Sequence, residues 1–399
     1  MRHPFADLPR PFWILFGATL VNRVGGFVVP FLALFLSQAR GVPAAQVGAI
    51  VAFFGAGSLV AGPLGGVLTD RLGRRATLVL SLFSGAAVMG AVTLARAPAA
   101  LSLGAFGLGL TLDLARPATS AMVADLVPIA HRTRAYAALY WAHNLGFAFA
   151  SVIAGLLASA TFEVLFVIDA LSCVATGVVV LAALPETRPK RSARVVWLED
   201  LSRPFRDREF LGFFGVSVLV ALVFFQFHVA MPLDMRAKGV STAAYGALVA
   251  LNGVLVVVLT PLSTSLVLRI PRRRALALAA LLTGLGFGSM ALAESTLGFG
   301  LAITVLTLGE IAMAPVNPAV VSELAPTHLR GTYQGAFSLA MSGGACFAPL
   351  IGGAFLERGR ADLLWGGALL VSLAAATAYL WAPWGRAPAR LGEDEVAAE

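Results

Sequence analysis

The sequence predicts an all-α membrane protein whose twelve transmembrane helices form two pseudo-symmetric six-helix bundles. The first observation behind this prediction is composition: of 399 residues, 58% are hydrophobic and 13% are charged, and the mean hydropathy is +0.85. Such a chain has too little polar surface to cover a soluble protein. The second observation is the number of long apolar stretches, and the third is an internal repeat that relates the two halves.

Twelve apolar stretches are each about 20 residues or longer, which is enough to cross the ~30 Å hydrocarbon layer as a helix. They lie at about 12–37, 44–68, 76–95, 98–127, 134–160, 163–184, 210–234, 242–268, 274–293, 297–325, 331–356 and 362–383. A charged segment separates the sixth stretch from the seventh. The predicted domains are therefore an N-terminal bundle at 1–184, a cytoplasmic linker at 185–209 and a C-terminal bundle with a short cytoplasmic tail at 210–399.

A single shift of 198 residues superposes landmarks of the two halves. It aligns Pro63 with Pro261, Arg71 with Arg269, Arg74 and Arg75 with Arg272 and Arg273, Pro117 with Pro315, Asp125 with Glu323, Pro128 with Pro326, Arg132 with Arg330 and Gly155 with Gly353. Asp70, in contrast, aligns with Leu268. Two repeated bundles predict a binding pocket between them, as in transporters that are built from parallel repeats.

Basic residues lie mostly on one side of the predicted membrane. When the N-terminus is assigned to the cytoplasm, the outer loops hold six of the 29 Lys and Arg residues, namely Arg40, Arg96, Arg236, Lys238, Arg358 and Arg360. This asymmetry is the positive-inside pattern, and it predicts a multi-pass protein of the inner membrane with both termini in the cytoplasm. The net charge of +8 then reflects topology, so we expect the lipid bilayer as a partner and no nucleic acid.

The turn between the second and third helices carries the most informative motif, in the stretch GPLGGVLTDRLGRRATL at 62–78. It resembles the signature loop of the major facilitator superfamily of secondary transporters. The resemblance implies the major facilitator fold. It also implies a cytoplasmic gate formed by Gly65, Asp70, Arg71, Gly73, Arg74, Arg75 and, at the inner end of the fourth helix, Asp125. A loop that sets topology through its arginines is the alternative, but it explains neither Asp70 nor the glycines.

A second stretch, RPATSAMVADLVPIAHRTRAYAALYWAHNLG at 116–146, resembles the drug:proton antiporter branch of the same superfamily. That branch usually continues into a G-P-x-x-G-G element in the fifth helix, whereas this chain has ASVIAG at 150–155. The resemblance implies proton-coupled export of small molecules. The missing glycine-proline pair leaves the direction of transport open.

Four ionisable residues fall near the middle of predicted helices, where a charge costs roughly 2.5 to 3.5 kcal/mol on insertion scales. They are Arg23, Asp113, Arg116 and Glu310, and in the superfamily the helices that carry them line the central cavity. Asp113 and Arg116 are three residues apart and share a helix face, and Arg23 is expected to reach the same region. A structural ion pair that holds the first bundle together is the alternative reading of these three residues.

Glu310 is the predicted main site of protonation, and Asp113 is the second. No cationic residue occurs in the tenth helix, and the neighbours of Glu310 in sequence are Leu306, Leu308, Ile311 and Met313. Because desolvation penalises a charged carboxylate, we expect Glu310 to load and release a proton during transport. A packed, hydrogen-bonded acid is the alternative.

Polar and aromatic side chains complete the predicted substrate site, because aromatic faces near a carboxylate suit lipophilic cations. The candidates are Asn22, Arg23, Arg116, Tyr140, Trp141, Asn144, Phe225, Gln226, His228 and Asn317. Pro315 and Pro318 are expected to bend the tenth helix beside Asn317. For the aromatic residues, contact with lipid or core is the alternative.

The sequence thus predicts a secondary active transporter that works by alternating access and exports lipophilic or cationic small molecules in exchange for protons. The alternative is an importer or flippase of an anionic solute or lysolipid that uses Arg23 and Arg116. No nucleotide loop, metal-ligand spacing or nucleophile motif occurs, so we expect no enzymatic activity, cofactor or metal site. The expected partners are a small-molecule substrate and protons, and the expected state is a monomer.

Overall fold

A computed structural model of the chain describes residues 8–158, 161–187, 202–267, 269–326 and 329–381. Most of the predicted linker and the C-terminal tail lie outside these ranges. Throughout the described part the chain forms helices joined by short turns, and twelve of the helices are long and apolar enough to cross a membrane. The predicted all-α membrane fold is therefore confirmed.

The first half contributes six membrane helices. They are α1 (Arg10–Ala39, interrupted), α2 (Ala44–Arg71), α3 (Arg74–Leu94), α4 (Pro98–Leu126), α5 (Ile129–Leu157) and α6 (Glu163–Ala183). The second half contributes α7 (Arg208–His228), α8 (Thr242–Val267), α9 (Arg272–Leu292), α10 (Thr296–Leu324), α11 (Arg330–Glu357) and α12 (Ala361–Trp381). A short helix, Ala230–Ala237, leads from α7 to α8.

α1 is interrupted, which corrects the continuous helix that the stretch at 12–37 predicts. It consists of Arg10–Val24, Val28–Leu34 and a π-helical turn at Phe35–Ala39. The cause is Pro30, which has no N–H to bond the carbonyl of Gly26, together with adjacent glycines of low helix propensity.

α7 ends earlier than the predicted stretch at 210–234. Its last turn closes at His228, Val229 leaves helical geometry with φ −129° and ψ −60°, and the chain resumes a helix at Ala230. Pro232 explains the interruption because it cannot donate a hydrogen bond to the His228 carbonyl. In α10 the predicted bend is confirmed, since its segments Thr296–Met313 and Val316–Leu324 are separated at Pro315.

Two helix pairs join the halves, α2 with α11 and α5 with α8. We call the face that carries the described chain ends the terminal face, and the opposite one the far face. Near the far face, a Cβ added to Gly48 would overlap the Pro349 carbonyl, and one added to Gly246 would overlap the Ser151 carbonyl. Helix backbones can approach this closely because glycine has no side chain. We call these contacts the far-face seam.

Toward the terminal face the two halves diverge. Among the described residues, no heavy atom outside the local helix would lie within 4 Å of a Cβ added to Gly62, Gly66, Gly331 or Gly335. Tyr140 of α5 is also 42% exposed there. The protein is therefore closed at the far face and open at the terminal face.

The internal repeat is visible in the side-chain contacts. Two ion pairs occupy equivalent positions, Arg74–Asp125 with a distance of 2.8 Å between Nε and Oδ2 and Arg272–Glu323 with 2.6 Å between Nη2 and Oε1. Two hydrogen bonds to carbonyls are also equivalent, from Tyr136 to Ser120 at 3.0 Å and from Gln334 to Pro318 at 2.8 Å. Each pair differs from its counterpart by the predicted shift, which supports the division into two bundles.

Candidate substrate-binding site

A cavity of about 300 Å³ lies between the two halves. Its apolar wall includes aromatic side chains of α2, α5 and α7, which are Phe54, Phe147 and Phe225, and Met341 of α11. Its polar wall comes mainly from the first half and consists of Asn22, Arg23, Asp113, Arg116, His143 and Asp169, with His228 from the second half. A pocket that combines apolar walls with a few polar groups is typical of a small-molecule site.

Asp113 and Arg116 form an ion pair in this cavity, as their spacing on α4 predicts. The distance from Arg116 Nε to Asp113 Oδ1 is 2.8 Å, and the side chains are 71% and 18% exposed, respectively. The guanidinium group is therefore open to the cavity, while the carboxylate lies deeper. Such a pair is held together without being sealed from a ligand.

Arg23 lines the same cavity but does not share the Asp113 carboxylate. In the part of the chain that the structure describes, no acidic oxygen lies within the 4.0 Å of an ion pair with Arg23, although the charges of Asp113, Arg116 and Asp169 act on it. Arg23 thus reaches the cavity that holds Asp113 and Arg116 but forms no ion pair with Asp113. Arg23 leaves one guanidinium group without a direct counter-ion at the cavity wall.

Asp169 of α6 fixes the interrupted helix that carries Arg23. Its Oδ2 atom accepts a hydrogen bond from the backbone N–H of Val28 at 3.1 Å, and the residue is 3% exposed. A carboxylate at the start of a helix segment is favourable because it satisfies a free N–H and faces the positive end of the helix dipole. Nearby, the Asn22 amide donates to Cys173 Sγ at 3.3 Å. These contacts hold the α1 break in place beside the cavity.

Glu310 lies on the other side of the interface between the halves, and it has polar partners. The Asn252 amide nitrogen of α8 donates to Glu310 Oε2 at 2.9 Å and to Thr307 Oγ1 at 2.9 Å. Tyr140 of α5 is close enough to interact electrostatically with Glu310. The residue is only partly buried, yet it is not among the residues that line the central cavity. Its predicted role in proton coupling stays a prediction.

The structure gathers only some of the other predicted substrate residues. Phe225 and His228 line the central cavity, and Tyr140 lines an adjoining cavity of about 440 Å³ within the first half that also contains Asn22, Arg23 and Arg116. Gln226 is 3% exposed and donates to the Ala348 carbonyl at 3.0 Å, so it joins α7 to α11.

Three further predicted residues do not line either cavity. Asn144 donates to the carbonyl of Tyr140 on its own helix at 2.9 Å, and Trp141 is 43% exposed. Asn317 is buried beyond the break in α10, where its distance from Glu310 along the chain no longer implies a shared helix face. Their predicted roles in substrate binding have no geometric support here.

The predicted gate residues meet at the terminal face within the first half. Arg74 is buried and contacts both Asp125 at 2.8 Å and Asp70 at 3.6 Å, while Arg71 is exposed. Gly65 packs against Pro117 and the Leu114 carbonyl, and Gly73 adopts φ +107°. Asp70 and Asp125 of the predicted gate thus both contact Arg74 while this face is open, and no ion pair of Arg71 is seen among the described residues. A latch that joins both halves stays a prediction.

An additional residue, Glu186, completes this corner. Its carboxylate accepts hydrogen bonds from the backbone N–H groups of Arg75 at 3.2 Å and Ala76 at 3.1 Å, which caps the start of α3. The Arg75 side chain donates to the Leu184 carbonyl at 3.3 Å. Arg75 therefore connects α3 to the end of α6, while Arg74 is the residue that contacts Asp70 and Asp125.

Sequence reasoning missed Asp169, Asn252, Thr307 and Glu186 as partners of the site. The signals were weak: Asp169 and Asn252 are polar residues inside apolar stretches, and the partners that place them at the site, Val28 and Glu310, are far away in sequence. Asn252 is 58 positions before Glu310 in the chain. Only the packing of α8 on α10 brings Asn252 and Glu310 together.

The fold and the central cavity define a membrane transporter. A family model described as Major Facilitator Superfamily matches residues 14–349 and 213–397, and the chain belongs to this superfamily.

Known proteins with similar sequences are transporters. The chain is 26% identical to the Bacillus subtilis (strain 168) protein YttB, an MFS-type transporter, with 94% of this chain and 96% of that protein covered. It is 27% identical to a Na(+), Li(+), K(+)/H(+) antiporter of Planococcus maritimus, with 84% and 87% covered. It is 25% identical to the multidrug resistance protein MdtH of Cronobacter sakazakii (strain ATCC BAA-894), with 85% and 84% covered.

Solved structures share the fold. The nucleoside transporter NupG superposes with a TM-score of 0.80 at 14% identity, with 93% of this chain and 98% of that chain covered. A POT family transporter in complex with 5-aminolevulinic acid gives a TM-score of 0.77 at 14% identity, with 92% and 96% covered. At this level of identity the similarity describes architecture and says nothing about substrate.

Proposed function

We propose that the protein is a proton-coupled antiporter that exports lipophilic or cationic small molecules across the inner membrane. The observation that carries the proposal is the cavity between the halves. It has aromatic and apolar walls and holds the carboxylate of Asp113 within reach of a ligand. A second carboxylate, Glu310, lies at the interface on the opposite half.

Two similar proteins support this proposal. One is named an Na(+), Li(+), K(+)/H(+) antiporter and one a multidrug resistance protein. The first name describes exchange of a cation for a proton, and the second describes resistance to several drugs. The terminal face, which carries most of the arginine-rich loops, is then cytoplasmic by the positive-inside rule. In this assignment the open cavity accepts substrate from the cytoplasm.

The mechanism follows from the two bundles and the far-face seam. Substrate enters from the terminal face and comes to lie beside Asp113. A proton that binds Asp113 from the outside competes with a cationic substrate for the same carboxylate, so each weakens the binding of the other by linkage. Glu310, outside the cavity, binds a second proton. Rocking of one bundle against the other then exposes the cavity to alternate sides.

The proposal is tested with purified protein in liposomes that carry an imposed pH gradient and a fluorescent lipophilic cation such as ethidium. In Glu310→Gln and Asp113→Asn the gradient-driven flux is expected to fall about tenfold or more, the equivalent of ~1.4 kcal/mol of lost coupling. Asp362→Asn is the matched control, because this exposed acid lies outside the cavities. Full gradient-driven flux in both variants, or no transport of any cation, would reject proton-coupled export.

One observation favours a second candidate function, the transport of an anionic solute or lysolipid. Arg23 has no acidic partner within ion-pair distance among the described residues, and Arg116 is open to both cavities. Arg23→Gln and Arg116→Gln should then abolish binding of organic anions or lysolipids and leave cation binding intact, as measured by thermal shift. Unchanged anion binding in both variants would exclude this candidate.

A further inference from the structure

We infer that Asn252 is a positioning residue that links protonation of Glu310 to closure of the far-face seam. The inference rests on the proposed function, because it assumes that Glu310 carries the coupled proton. It goes further by naming the group through which the proton acts on the conformation.

The first step concerns the orientation of the Asn252 amide. The Thr307 hydroxyl is committed as a donor, since it bonds the Ile303 carbonyl at 2.6 Å. Its oxygen can therefore only accept from Asn252, which requires the amide nitrogen to face Thr307. The second hydrogen of the same nitrogen points to Glu310 Oε2. Thr307 thus ensures that Asn252 presents a donor to the carboxyl group.

The second step concerns the charge state of Glu310. A hydrogen bond from an amide to a carboxylate is charge-assisted and roughly twice as strong as one to a neutral acid. Among the described residues, Tyr140 is the titratable group near enough to interact electrostatically with Glu310. No cationic side chain among these residues competes with Asn252 for the Glu310 carboxylate. Protonation therefore weakens chiefly the bond to Asn252.

The third step concerns the position of Asn252 on α8. The next residue, Gly253, touches α5 of the other half, where an added Cβ would lie 2.9 Å from Ala148 Cβ and 3.1 Å from the Asn144 carbonyl. Asn252 itself is 7% exposed and faces α10. One turn of α8 therefore contacts Glu310 through Asn252 and α5 through Gly253, about two turns along α8 from Gly246 of the far-face seam. Because Gly253 has no side chain and its neighbours on α5 are a methyl group and a backbone carbonyl, a shift of this turn is passed to α5 and cannot be absorbed by side-chain rotation.

The experiment measures opening of the far face as a function of pH. Spin labels replace Leu94 and Leu292, which lie at the far ends of α3 and α9 and are 82% and 86% exposed. The labelled protein carries Cys173→Ala and Cys346→Ala and is first checked for transport. The distance between the labels is then measured in nanodiscs across a pH series.

The expected result is a pH-dependent change of the label distance that Glu310→Gln locks in its low-pH form. Asn252→Ala should uncouple the two events, so that the distance loses most of its pH dependence. Thr307→Val, which removes the acceptor that orients Asn252, should shift the pH midpoint by about one unit, the size expected for loss of one charged hydrogen bond. The matched controls are Val254→Ala on the exposed side of α8 and Thr304→Val one turn from Thr307.

The possible outcomes separate the inference from the proposed function. If Glu310→Gln locks the distance while Asn252→Ala and Thr307→Val behave as their controls do, the role of Asn252 is wrong and proton coupling at Glu310 survives. If Glu310→Gln leaves the pH dependence of the distance unchanged, the inference fails. If Glu310→Gln and Asp113→Asn also both keep full gradient-driven flux, the proposed function fails as well. If Asn252→Ala does not fold, Thr307→Val alone decides, and its midpoint must move relative to Thr304→Val.

Discussion

At the scale of single residues, Arg74 at the terminal face is a buried cation with two acidic partners. Its side chain is 9% exposed, and it contacts Asp125 at 2.8 Å and Asp70 at 3.6 Å. Asp125 is 31% exposed and Asp70 is 55% exposed. A closer and better-shielded partner loses less of its attraction to water and salt. Asp125 should therefore be the main counter-ion of Arg74.

This difference gives a prediction for the stability of the protein in detergent. Asp125→Asn should lower the free energy of unfolding by about 2 kcal/mol, the range for a hydrogen bond to a charged group, or roughly 4 °C in Tm. Asp70→Asn should change Tm by about 1 °C or less, since exposed ion pairs contribute little. A thermal-shift assay measures both, and equal losses would contradict the ranking.

The sequence predicted the ion pair of Arg74 with Asp125, but it did not predict every contact of the candidate site. The shift that aligns Arg74 with Arg272 and Asp125 with Glu323 predicts the two equivalent ion pairs, because repeated sequence implies repeated contacts. The partnership of Glu310 with Asn252 was not predictable in this way. The first half has Phe54 at the position equivalent to Asn252, so the repeat carries no copy of that contact.

At the scale of helices, hydropathy predicted where the helices lie but not where they break. An apolar stretch looks the same whether its backbone is continuous or interrupted, and so the interruption of α1 at Gly25–Phe27 was missed. Pro30 and Pro232 each remove one helix hydrogen bond, but a proline within a helix does not always break it. Pro63 and Pro117 lie inside continuous helices. Tertiary partners such as Asp169, which caps the second segment of α1, decide the outcome.

The contact of α2 with α11 gives a prediction at this scale. Gly48→Val should prevent closure of the far face, because even a Cβ at this position would overlap the carbonyl of Pro349. The distance between spin labels at Leu94 and Leu292 should lengthen, and transport should fall severalfold. Gly66→Val on the same helix is the control for closure, because nothing lies within 4 Å of an added Cβ there. Equal label distances in the two variants would argue against the seam.

At the scale of the whole molecule, the structure is open to one side only. Cavity residues should therefore react with polar reagents from the terminal face. Met341→Cys, in a background without other cysteines, should be labelled by a membrane-impermeant maleimide in inside-out vesicles and at least about tenfold more slowly in right-side-out vesicles, a ratio that corresponds to ~1.4 kcal/mol in favour of this conformation. Faster labelling from the opposite side would place the terminal face outside the cell.

The architecture of two six-helix bundles followed from the sequence because hydropathy and the repeat are properties of the whole chain. The cavity walls followed only in part. Arg23, Asp113 and Arg116 were found because a charge in an apolar helix is conspicuous, whereas Trp141 and Gln226 were assigned from residue type alone. The rotation of each helix about its axis decides which of these side chains face the cavity. In a chain of mostly small and aliphatic residues, the sequence pattern gives little indication of that rotation.

The far-face seam has one more consequence. Its contacts are glycine backbones and apolar side chains, supplemented by hydrogen bonds from Tyr245 to the Pro30 carbonyl at 2.7 Å and from the Ala45 N–H to Glu357 at 3.2 Å; in the described chain, no ion pair bridges the halves on this side. Dissolved ions screen charges but hardly weaken contacts between uncharged surfaces. The barrier at the far face should thus change little between fresh water and brine.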